Sequence, residues 1–260
     1  MTPTIDHCRT FATRCVSEGL SHGLGTPQPG QMCIEALWCN VLGLPHSDDP
    51  QCVAVSVRQY KIRLNDAAHA SNEARAKCLV RLGVAQMGSK GVVDDDAFKS
   101  RVCELVIREM LPPVFRSLAD RIPKHSASLL AAADRCESEG SREAARAARD
   151  AAAATYPTYP TYPTYPTYAA YAAAYAAADA ADAAYAAYAY AAYAADAAAA
   201  ADAADAALGR YLQHAANIGE RVLRELGSPG IAWLDQLEAE GVVPAMAVVD
   251  LAAKCGEVHP

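Results

Sequence analysis

The densest gathering of reactive side chains is "PGQMCIEALWCNVLGLPHSDDPQCV", which carries Cys33, Cys39, His46, Asp48, Asp49 and Cys52. Cys33 follows Pro29-Gly30 at the expected start of a helix, where the helix field lowers a thiol pKa. A thiol with imidazoles and carboxylates is the inventory of a thiol-dependent hydrolase or transferase. Geometry constrains the choice of base. A helix from Cys33 to Gly43 is about 15 Å long, so His46 beyond its far end meets Cys33 only if the chain turns back. His22 and His69 are the better partners for a Cys33 nucleophile. The competing reading makes Cys33 a buried structural thiol in an apolar helix.

Other chemistries fit less well. Cys33, Cys39, His46 and Cys52 are separated by five, six and five residues, whereas paired zinc ligands sit two to four residues apart; neither a metal nor a cofactor is expected. "GLSHGLG" lacks both a Walker lysine and a preceding strand, so it is not a phosphate loop. Arg58, Lys61 and Arg63 in "RQYKIRLND" read as a solvated helix face.

The elements that must position these groups read as helices, and the expected fold class is all-α. "TIDHCRTFATRCVSEGL" places Cys8, Phe11, Ala12 and Cys15 at the i, i+3, i+4, i+7 spacing of one helix face. "QMCIEALWCNVLGLP" is a strongly apolar helix that stops at Gly43 and Pro45. "QCVAVSVRQYKIRLND" fits a helix or a strand, because Val53, Val55 and Val57 alternate; helix is preferred. Ser71 or Asn72 caps the next helix. Asp94 to Asp96 load the positive end of another, which Pro112 and Pro113 kink or break. "SASLLAAADRCESEG" and "SREAARAARDAAAA", the latter capped by Ser141, follow. Near the C-terminus a pair of short helices is expected to dock through Trp233, Leu234, Leu237, Val242, Val248, Val249 and Leu251.

Between these ordinary segments lie four Thr-Tyr-Pro triplets from Thr155, followed by an Ala-rich tract that no Gly or Pro interrupts between 169 and 207. Proline fixes its own φ and pushes the preceding residue to extended geometry, so the triplets predict a polyproline-II rod of roughly 40 Å with three residues per turn. Alanine has the highest helix propensity, so the tract predicts one long helix. Tyr156, Tyr159, Tyr162, Tyr165 and Tyr168 form one column of the rod, and Tyr171, Tyr175, Tyr190 and Tyr193 share one side of the helix. Those nine tyrosines are the candidate self-association residues, since each ring offers a large apolar body with a hydroxyl for the rim. A rod folded back on a helix resembles the pancreatic-polypeptide fold and the stalks of streptococcal antigen I/II adhesins in architecture; the motifs of those families are absent, so the likeness implies no function.

The domain reading is a helical head over 1–139, a helical connector over 140–154, the Thr-Tyr-Pro segment over 155–168, the Ala-rich helix over 169–226 and short helices over 227–260. Net charge is −7 with both signs intermixed, which argues against a general nucleic-acid binder. Nine cysteines are an odd number, and "MTPTIDHCRTFATRC" has no apolar leader core; the expectation is free thiols in a reducing cytoplasm. Asp179, Asp182, Asp196, Asp202 and Asp205 argue against a membrane span.

"GQMCIEALWCNVLGLPHSDDPQCV", "RQYKIRLNDA", the Ala-rich repeat and "LRELGSPGIAWLD" are together similar to uncharacterised proteins of bacteria and their phages that join such a head to Ala-Ala-Tyr and Ala-Ala-Asp repeats. That resemblance implies no activity. The expectation is therefore a structural or interaction protein whose repeat mediates helix packing or oligomerisation, with itself as partner and filaments as one outcome; the alternative is an enzyme of the head that uses Cys33.

Overall fold

The computed structural model describes residues 2–155 and 204–251, except the side chains at 121 and 204–207. The described residues are mainly helical, and no strand is found among them; an isolated antiparallel bridge joins Gly25 to Met32. The helices are α1 (Ile5–Glu18), α2 (Ile34–Val41), α3 (Val55–Asn65), α4 (Asn72–Ala85), α5 (Asp95–Glu109), α6 (Leu111–Arg121), α7 (Ser126–Glu139), α8 (Arg142–Ala153), α9 (Ala204–Glu225) and α10 (Gly230–Ala239). The Thr-Tyr-Pro segment beyond Thr155 and the Ala-rich tract up to 203 lie outside the described residues.

The chain divides into two compact units. One comprises Met1–Lys99 and Gln213–Val248, and the other Ser100–Leu212 and Val249–Pro260. This partition places residues 100–139 of the expected head with the second unit.

In the first unit, helix ends follow local chemistry. Thr4 and His7 form a reciprocal capping box at the start of α1, and Ser71 Oγ accepts from the Ala74 N–H at the start of α4. The ambiguous valine-rich segment is helical because its burial repeats with helical period: Val57, Tyr60, Lys61 and Leu64 are buried while Val55 is half exposed. Helix α4 is the centre of this unit and packs against α1, α2, α3 and α10. Its burial is therefore broader than one helical stripe: every residue from Cys78 to Ala85 is buried.

Close packing surrounds Gly83. Phe11 and Trp38 stack with ring centroids 4.1 Å apart and planes 9° apart, and Trp38 Nε1–H donates to the Gly83 carbonyl at 2.9 Å. A Cβ at Gly83 would stand 2.7 Å from the Phe11 ring and 3.1 Å from Ile34 Cδ1. Glycine is retained in mid-helix here to let α1 approach. Two residues on, at the last residue of α4, Ser228 Oγ donates to the Ala85 carbonyl at 2.6 Å, which seats the start of α10.

In the second unit, α5 and α6 are separated at Met110, with Pro112 and Pro113 in the first turn of α6, where a missing N–H leaves no intrahelical bond unmade. Helix α7 packs on α6 and on α8. It ends at Gly140 in the left-handed region (φ 61), and Arg108 donates to the carbonyls of Glu137, Ser138 and Glu139 in its last turn. Helix α8 buries Ala144, Ala145, Ala148 and Ala152 and no larger side chain.

The expected second C-terminal helix is absent among the described residues. Helix α10 ends in a Schellman turn, in which the Val242 N–H bonds the Leu237 carbonyl at 2.9 Å and the Gly241 N–H bonds the Glu238 carbonyl at 3.0 Å, with Gly241 at φ 72. Residues 244–250 carry no helical bonds, and Val248 is fully exposed rather than docked. Pro244, two residues past the turn, works against helix continuation.

Gly83→Val drives two methyl groups into the Phe11 ring. Equilibrium urea denaturation will show a loss of about 1–3 kcal/mol, although removing a helix-interior glycine at an exposed site would gain up to about 1 kcal/mol.

Candidate functional site

The loop between α1 and α2 carries Cys33 to its position. It folds on itself through Ser21 N–H to Met32 O (2.9 Å), Thr26 N–H to Gln31 O (2.7 Å) and Cys33 N–H to Leu24 O (3.2 Å). Gly25 is required at the crossing, since a Cβ there would sit 1.8 Å from the Gln31 carbonyl oxygen. Asn65 at the end of α3 clamps the loop: its Oδ1 accepts from the Ile34 N–H at 3.3 Å, and its Nδ2 donates to the Ser21 carbonyl at 3.0 Å. Asp66 Oδ1 accepts from the Gly23 N–H at 2.9 Å. Arg75 donates to the Asn65 carbonyl at 2.7 Å and the Leu20 carbonyl at 2.9 Å.

Cys33 is the N-cap of α2, as its position predicts, and its Sγ accepts from the Ala36 N–H at 3.3 Å. It is 4 % exposed, and burial pushes its thiol up to about 11, outweighing the helix-terminal N–H groups that pull the other way. His22 is exposed in the loop. His69 Nε2–H donates to the Leu64 carbonyl at 2.9 Å, and burial pushes its imidazole down to about 4. Among the described residues no hydrogen bond joins either imidazole to Cys33. The chain does turn back at His46, whose Nε2–H donates to the Gly25 carbonyl at 3.2 Å rather than reaching Cys33.

Beneath Cys33 lies a charge pair that the reading of single segments misses. Glu35 and Lys61 are both fully buried with Oε1 and Nζ 3.1 Å apart, and Gln86 Nε2 donates to Glu35 Oε2 at 3.1 Å. Three helices meet there: the first turn of α2, the middle of α3 and the C-cap of α4. The treatment of Arg58, Lys61 and Arg63 as one solvated face therefore fails at Lys61, which sits in the buried stripe of α3. Burial raises the Glu35 carboxyl and lowers the Lys61 ammonium, and each charge opposes the shift of the other. Lys61 Nζ and Glu35 Oε1 have no hydrogen-bond partner outside the pair among the described residues, so each depends on the other. A signal existed in the sequence: Glu35 is a lone charge in the apolar run "CIEALWC".

A second charge network lies in the same unit. Arg81, nearly buried, binds Glu220 in a fork with both bonds at 2.8 Å and reaches Glu238 at 2.7 Å. Arg224 forks onto Asp235 at 2.7 and 2.9 Å. An open cleft of about 480 Å³ lies over these five residues and Met246.

Among the described residues no group of three or more His, Cys, Asp or Glu side chains is placed to hold a metal ion, and no helix is long and apolar enough to cross a membrane. The eight described cysteines are free thiols, and only Cys52 of these is not buried. The candidate tyrosines Tyr156, Tyr159, Tyr162, Tyr165, Tyr168, Tyr171, Tyr175, Tyr190 and Tyr193 lie outside the described residues. No protein-family model, curated protein or solved structure matches the chain.

Two outcomes are expected at this site. Raising the Cys33 pKa from 9.0 to about 11 leaves about 100-fold fewer thiolates near pH 8, so iodoacetamide mapped by mass spectrometry will label Cys33 in the folded chain at least 100-fold more slowly than in urea. Lys61→Met alone strands the Glu35 carboxylate and costs about 3–5 kcal/mol, whereas Lys61→Met with Glu35→Leu recovers most of that loss; urea denaturation of the single and double variants measures both.

Proposed function

We propose that the chain is a structural, self-associating protein in which Ala-rich helices are packing surfaces. The observation that carries this reading is α8. It lies at the described edge of the Ala-rich region and buries an alanine-only stripe, Ala144, Ala148 and Ala152 with Ala145, in a helix that packs on α7. Side chains this small let two helix backbones approach closely, and they lose no rotamer entropy on burial. The sequence from 169 to 207 is likewise Ala-rich with tyrosines and aspartates interleaved, a composition that would suit pairing with a second helix or a second copy of the chain.

The Cys33 site supports the same conclusion by its occupation. Its sulfur caps α2, its thiol is held protonated near neutral pH, and the neighbouring polar groups of Asn65, Asp66 and Arg75 are bonded to the loop that carries it. Such a site holds a helix in place; a nucleophile needs a free thiolate with a base beside it.

Sedimentation velocity with negative-stain electron microscopy tests the proposal. The intact chain is expected to form discrete oligomers or filaments, and a chain lacking 155–207 is expected to sediment as a monomer. Monomers in both cases would reduce the repeat to a spacer.

A further inference from the structure

We draw no further inference here: the strongest candidate, the open cleft over the Arg81, Glu220 and Glu238 network and the Arg224–Asp235 pair in the first unit, is lined by charged side chains that already bind one another, and nothing in the structure shows what would occupy it.

Discussion

Charge that enters a helical interior must be neutralised where it lies, and in the first unit Glu35 and Lys61 set that requirement for three helices at once. Moving either ion alone out of water would cost several kcal/mol, and a single partner at 3.1 Å returns that cost only when the geometry is held. The first turn of α2, the middle of α3 and the C-cap of α4 must therefore stay in register. Well-packed apolar residues in these positions would hold the helices together equally well. What the pair adds is specificity: a rotation of α3 by one residue would leave two unmatched charges in a dry core.

The same constraint explains why Cys33 does not behave as its position in sequence predicts. A helix N-terminus favours a thiolate by presenting unpaired N–H groups, and Cys33 receives one of them from Ala36. Removal of water acts in the opposite direction and is the larger effect at 4 % exposure. The loop that delivers Cys33 is closed by Asn65, Asp66 and Arg75, whose bonds go mainly to backbone groups. Reactive side-chain types were gathered here by the needs of a buried turn.

A second theme is the use of small and repetitive surfaces. The fully buried side chains of α8 are all alanines, and the segment after α10 contacts its unit through Val242, Val243 and Met246. Each surface depends on backbone proximity more than on side-chain bulk. In the first case small side chains bring two helix backbones together; in the second, buried Arg81 and Asn217 capture main-chain oxygens directly.

Helix positions were legible in the sequence wherever a cap, a glycine or a proline marked the end: Ser71, Ser141, Gly140 and Pro112 all act as their local chemistry requires, and the stripe Cys8, Phe11, Ala12, Cys15 is the buried face of α1. These are short-range effects, complete within one turn of chain. Pairings across the fold were not legible. Glu35 and Lys61 are 26 positions apart and Arg81 and Glu220 are 139 apart, and nothing local distinguishes a buried lysine from a solvated one until the opposite helix supplies its carboxylate. Likewise, helical period in the valines of 242–249 competes with a proline at 244, and only the side chains of α4 and α9 decide that the segment runs extended. Local propensity determined which residues are helical; the low-dielectric interior, which makes each unmatched charge or carbonyl costly, decided which helices meet.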